Sequence, residues 1–207
     1  MKLDVAATKT NLFKMKKLLS LTEEGYQLLD EKRKILMNEL TATMHALDGI
    51  QKDVYTRIEE AYGRLEKTLV VTGTDRLESL SFAVPEERTV AVSQRRVMGV
   101  GVPVAADQAT DRSPYFSPFG VDTSVEETMH AFRELLTPIV EMAEKRAILF
   151  KLARELQKTM RKVNALEQIH IPYYRMTCKG ISDRLDEEGR EAFTLLKVTK
   201  EHLEKRR

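Results

Sequence analysis

Apolar residues recur three or four positions apart over two long stretches of the chain, Leu12 to Leu69 and Met129 to Leu203. That spacing places them on one face of an α-helix. In the first stretch the series is Leu36, Leu40, Met44, Leu47, Ile50, Val54, Ile58, Ala61, Leu65, Leu69, with a mean step of about 3.67 residues. In the second it is Phe132, Leu136, Ile139, Ala143, Ala147, Phe150, Ala153, Leu156, Met160, Val163, with a mean step of about 3.44. Steps near 3.5 favour a left-handed supercoil and steps near 3.67 a straight or slightly right-handed one. The two arms differ, so the pattern predicts a weakly wound pair with local changes of hand. Ala143, Ala147 and Ala153 are expected to let the partner backbone approach closely.

Arms of this length do not wrap into a globule; they pair with each other or with another chain. The expected fold is mainly α: a long antiparallel two-helix coiled coil with a small central region containing a short helix and a β-hairpin. Residues 1–72 and 124–207 would form the shaft and residues 73–123 the central region. At 1.5 Å per residue the arms would span about 90 and about 120 Å. An antiparallel pair puts both termini at one end, with the second arm projecting beyond the first.

Helix punctuation adds detail. Ser124 before Val125-Glu126-Glu127 reads as a capping box that satisfies free amides at the helix start. Pro138 predicts a kink or a restart, with Thr137 able to cap, and Pro172 predicts a bend further on. The central region holds four of the six prolines and four of the nine glycines. Within it, Thr74 to Leu80 reads as a short helix ending before Pro85. Thr89–Ser93 and Val97–Val104 are rich in β-branched residues and read as two strands, with the turn near Gln94-Arg95-Arg96. Ala106 to Gly120 reads as irregular surface loop.

Composition fits this picture. Charged residues make up 32% and aromatics 6%, with no Trp. A helical seam of Leu, Ile, Met and Ala needs little aromatic area, whereas a compact core of this size normally uses more. The net charge of +2 gives no global pull towards nucleic acid. The ends are basic: five lysines against Asp4 in residues 1–20, and five basic groups against Glu201 and Glu204 in residues 197–207. Aromatic residues are nearly missing there, with Phe13 and Phe193 nearby, so base stacking is poorly supported. Cys178 is the only cysteine, which excludes an intrachain disulfide and suits a reducing compartment. No apolar run reaches the roughly 18 residues of a membrane span, and lysines interrupt any signal-peptide core, so a soluble or peripheral protein is expected.

The chain offers little for catalysis. No Gly is followed by the Lys-Ser or Lys-Thr of a phosphate-binding loop. Gly99-Val100-Gly101 is a lone GxG with Val104 where a third glycine would stand, and it falls inside the expected hairpin rather than before a helix. His45, His130, His170 and His202 lack ligand spacing, and Cys178 with His170 lacks further ligands nearby, so isolated histidines are expected. Asp186-Glu187-Glu188 reads as a solvated acidic face rather than an acid–base pair. Asn164, beside Val163, either fixes register in the seam or faces solvent; the period leaves both open. No cofactor is expected.

Two segments carry a family resemblance. The first is Thr8-Lys-Thr-Asn-Leu-Phe-Lys-Met-Lys-Lys-Leu-Leu with Gly25-Tyr-Gln-Leu-Leu-Asp-Glu-Lys-Arg-Lys-Ile-Leu-Met. The second is Arg161-Lys-Val-Asn-Ala-Leu-Glu, then Ile171-Pro172, then Phe193-Thr-Leu-Leu-Lys-Val-Thr-Lys. Together they resemble the D subunit of the V-type (A/V-type) rotary ATPases, and the layout extends over nearly the whole chain, including Val102-Pro103 after the hairpin. Ala7 stands where the family often has Pro, Glu24 where it often has a basic residue, and Tyr173-Tyr174-Arg175-Met176 replaces its usual acidic run.

The resemblance implies a non-catalytic central rotor shaft that couples ATP turnover to ion translocation. The end bearing both termini would enter the ring of catalytic-head A and B subunits. The middle would bind the small F subunit of the central stalk, and the lower end would seat in the socket protein on the membrane rotor. Neither nucleic acid nor direct membrane insertion is expected; the chain would be cytoplasmic and peripheral to the membrane. Lys14, Lys16, Lys17, Lys197 and Lys200, brought together at the inserted tip, are the candidate contacts with the head ring. Arg95, Arg96 and Val97 on the hairpin are the candidate contacts with a stalk partner. The rival reading is a free-standing antiparallel coiled-coil adaptor, including the stalk-like coil of an export ATPase; such a protein needs a short turn rather than some 50 folded residues between its arms.

Overall fold

The computed structural model describes residues 5–84, 88–109, 115–117 and 119–205. Helix α1 runs Lys9–Thr72, a short α2 follows at Thr74–Ser81, and strands β1 (Arg88–Val97) and β2 (Val100–Ala109) form one antiparallel hairpin. Helix α3 spans Thr123–Ala165, a single π-helical turn covers Leu166–His170, and α4 follows at Ile171–Lys205. The expected class, long paired helices with a short helix and a hairpin, is the class observed.

The chain divides into two compact units, residues 35–156 and residues 1–34 with 157–207. In the first unit, α1 and α3 run antiparallel. Thr68 meets Ser124 and Thr128, Tyr62 meets Phe132 edge-on at 5.5 Å, and Leu36 clusters with Ile148, Leu152 and Leu156. Numbers fall along α1 as they rise along α3. On α1 the buried residues are Leu36, Leu47, Val54, Ala61 and Thr68. From Leu47 onward they stand seven apart, the left-handed repeat, whereas Leu36 to Leu47 is an eleven-residue step, the opposite hand. The spacing of buried residues thus changes within α1 itself.

On α3 the observed seam corrects the expected one. Leu135, Ile148, Leu152 and Leu156 are buried, while Leu136 and Ala143 are exposed and Phe150 is 72% exposed. The reason is the hairpin. Val102 of β2, 0% exposed, sits in the cluster of Leu36, Ile148, Leu152 and Leu156, with Val97 and Val100 packed against it. This stretch of α3 covers both α1 and β2, so its buried face is turned away from the two-helix line the period alone gives.

Three expected interruptions resolve differently. α3 begins at Thr123, so Ser124 lies inside its first turn and donates its hydroxyl to Asp122 Oδ2 at 3.1 Å instead of capping. α3 does not restart at Pro138, and Thr137 Oγ1 donates to Asp107 Oδ2 of β2 at 3.0 Å. At Pro172, where a bend is expected, α4 has just begun at Ile171, directly after the π-turn. Proline is tolerated in the first turn of a helix, and the wide turn removes the i−4 clash.

The hairpin is longer than expected and turns elsewhere. Strand pairing runs one-to-one from Arg88↔Ala109 to Val97↔Val100, which leaves Met98-Gly99 as the turn and puts Gln94-Arg95-Arg96 inside β1. Both turn residues have positive φ, 50° and 79°. Such a two-residue turn matches the twist of the strands, and glycine supplies half of the requirement freely. Ala106–Ala109 belong to β2 rather than to a loop. The rest of that expected loop is described for residues 115–117 and 119–120; Pro114 and Pro118 lie outside the described residues, as does Pro85. Gly73 joins α1 to α2 at φ 80° and ψ 151°, a backbone region that glycine alone populates.

Candidate interaction surfaces

The hairpin presents the first surface. Arg95 pairs with Val102 and Arg96 with Gly101, and both arginines are exposed. Val97, expected beside them as a contact, instead packs inward at the base of the turn against the Val102 cluster. On the far side, β2 is fastened to α3 by the Ala105 N–H, which donates to Glu144 Oε2 at 2.7 Å. The turn end therefore stands on a fixed base and offers two cations.

The lysines form two separate places rather than one. In the unit of residues 1–34 and 157–207, Glu23 pairs with Arg175 at 2.7 Å, and Lys16 lies near enough to Cys178 to act on its thiol. Burial pushes that thiol above its ordinary range, with Lys16 pulling the other way. Lys14, Lys16 and Lys17 are thus level with the first part of α4, near Cys178. Lys197 lies nineteen residues beyond Cys178 on the same helix, about 28 Å further along. α1 does not reach that far, which is why the two clusters fail to meet. From Asp186 to Lys205 every residue is exposed, including Phe193, Leu195, Leu196 and Leu203. Asp186-Glu187-Glu188 is part of this solvated stretch, with Glu187 paired to Arg190 at 3.4 Å. Asn164 is exposed, which selects its solvent-facing reading.

A third surface was not foreseen. Where α1, α2 and the start of α3 meet, a groove of about 490 Å³ is lined by Leu65, Leu77, Leu80, Phe116, Met129 and Phe132 among others. Arg133 holds the loop beside it, with Nη2 2.5 Å from Tyr115 Oη and the guanidinium 4.9 Å from the ring centre, and Arg76 bonds the Gly120 carbonyl. Val70, Val71, Phe82 and Phe119 are exposed nearby in the chain, Phe119 at 91%. The signal was present in Leu65-Leu69 continuing into Leu77-Leu80 across Gly73, but the glycine reads as an end rather than a corner.

The remaining electrostatics are modest. On α1, Asp30 holds Lys34 at 2.9 Å and Arg33 at 2.5 Å; the Lys34 hydrogen bond keeps the carboxyl below its ordinary range and raises the lysine in turn. The four histidines are exposed, and among the described residues no group of three or more His, Cys, Asp or Glu is placed to hold a metal. Among the described residues no helix is long and apolar enough to cross a membrane.

Residues 11–201 match the family model described as the D subunit of ATP synthase. The chain is 35% identical over 206 residues to the D subunit of an A-type ATP synthase from Methanopyrus kandleri, covering 99% of this chain and 89% of that one. It is 34% identical to the corresponding A-type D subunit of Thermococcus sibiricus, covering 98% and 96%. The D subunit of the V-type ATP synthase of Thermotoga neapolitana is 31% identical, over 96% of this chain and 98% of its own. With helices, hairpin and a match of this extent in agreement, the chain belongs to the family of ATP synthase D subunits.

Proposed function

We propose that this chain is the non-catalytic central rotor of a V-type ATP synthase/ATPase, carrying torque between the catalytic head and the ion-translocating membrane ring. The observation that carries the reading is α4. Its last twenty described residues form regular helix with an exposed apolar face, next to a seam that holds the preceding part of the chain together. Isolated helix with that much apolar area exposed is stable when something surrounds it. A ring of A and B head subunits is such an enclosure. The hairpin arginines would meet the small F subunit of the stalk, and the apolar groove would meet the socket protein above the membrane rotor. The protein would then be cytoplasmic and attached to the membrane through the complex.

Affinity purification of the tagged chain from native membranes tests this. The hexameric head and a small second stalk protein should come with it, one copy of the chain per head. A disulfide engineered between the 193–203 segment and the head ring should stop ATP turnover and release it on reduction. Recovery of the chain alone, or turnover undisturbed by a formed cross-link, overturns the rotor reading.

A further inference from the structure

The hairpin has two strands, so each keeps one edge outside the ladder. The outer edge of β2 is occupied, since the Ala105 N–H donates to Glu144. Pro103, two residues earlier, turns its nitrogen the same way and so costs the ladder nothing. These two positions fix the phase of both strands. Ala105 pairs with Val92 and Pro103 with Gln94, so Val92 and Gln94 also direct their backbone groups outward. By alternation Val90 and Arg96 do the same, while Ala91, Ser93, Arg95 and Val97 spend theirs on β2. The turn agrees independently, because a two-residue turn is closed by a hydrogen-bonded pair, here Val97 and Val100.

Among the described residues no strand pairs with this outer edge of β1. Every residue from Thr89 to Arg96 is exposed, Val92 at 70%. An edge of this kind is a template for another strand, and proteins that keep one free shield it with charged side chains, proline or a bulge. β1 has no proline, its register is unbroken over ten pairs, and of Val90, Val92, Gln94 and Arg96 only Arg96 is charged. The side chains of the outward residues share one face, where Val90 and Val92 give way to Gln94 and Arg96. The strand's sequence contains three arginines and no acid, so a second copy of β1 would bring like charge to like.

We propose that β1 accepts an extended segment of another polypeptide as a third strand. The segment sets small apolar residues beside Val90 and Val92 and a carboxylate beside Arg96. This rests on the reading that the hairpin docks a stalk partner, and adds how: the backbone ladder holds the segment and the arginines select it. Side-chain capture alone would leave the outward amides in water.

Hydrogen exchange read residue by residue, on the native complex and on the isolated chain, separates the two. The amides of Val90, Val92, Gln94 and Arg96 should slow by about tenfold or more on assembly. Those of Ala91, Ser93 and Arg95 should change far less, an alternation that only a third strand produces. Gln94→Pro removes an outward N–H without touching the β1–β2 ladder, and should cut partner retention where Gln94→Ala does not. If Gln94→Pro retains the partner and Arg95→Ala with Arg96→Ala loses it, docking stands and strand addition is wrong. If neither variant matters and the four amides keep their free rates, both are wrong. Should Gln94→Pro fail to fold, exchange in the unaltered complex still decides.

Discussion

Thr68 takes the place in the seam where the sequence put Leu69. Its hydroxyl lies 2.8 Å from that of Thr128 and within reach of the Arg64 and Ser124 carbonyls, and Thr128 also reaches the Ser124 carbonyl at 2.8 Å. Each hydroxyl has one proton, and every arrangement of the two leaves both oxygens served. Changing either threonine to valine therefore orphans nothing. The cost should be that of one net hydrogen bond, about 0.5–1.5 kcal/mol, rather than the larger penalty of a stranded buried group. Thermal unfolding followed by circular dichroism checks this, and a loss of about 3 kcal/mol or more would show that the pair carries the helix contact. Threonine in an apolar series reads as a gap, so the pair was invisible until two distant residues were set side by side. Met98 was hidden for a related reason: its positive φ is chosen by the strands it joins, and its side chain gives no sign of it.

Among the elements, the π-turn at Leu166–His170 shows how an irregularity preserves a regular contact. Buried positions run Thr159, Val163, then Ile171, Cys178, Ile181. The step from Val163 to Ile171 is eight residues, one more than the repeat of seven. A π-turn takes in one extra residue. Removing it should therefore leave the seam in phase. Deleting His170 should keep thermal stability close to that of the parent, whereas deleting Met176 should swing Thr177, Cys178 and Ile181 off the seam. That second loss is about 1.5–3 kcal/mol for a large apolar side chain such as Ile181. Equal destabilisation by both deletions would refute the phase argument. The long helices, α2 and the existence of a hairpin were legible because each rests on local spacing. The phase of α3 at Ile148 and Leu152 was not, because it depends on Val102, which arrives from another part of the chain.

For the chain as a whole, the resemblance carried by Val163-Asn164-Ala165-Leu166-Glu167 and Ile171-Pro172 reached the family that the full-length match shows. The grouping of lysines was less legible, since it assumed that two basic ends coincide. Because Lys14, Lys16 and Lys17 sit roughly three Debye lengths from Lys197 along α4, they act as independent charges at physiological salt. Changing Lys14, Lys16 and Lys17 to glutamine, or Lys197 and Lys200, should each lower coupled ATPase activity in a reconstituted complex. Their combined effect should be additive in free energy, and the loss should shrink at high salt. Unchanged turnover in both variants would remove electrostatics from the contact with the head. The π-turn also reaches beyond its own surroundings. Every residue of a helix adds about 100° of rotation, so one residue absorbed there sets the azimuth of everything downstream. The compass bearing at which Lys197, Lys200 and Phe193 leave the helix is decided some thirty residues earlier. A relative that lacked the extra residue would point the same way, and one that kept it in an ordinary turn would face about a quarter-circle aside.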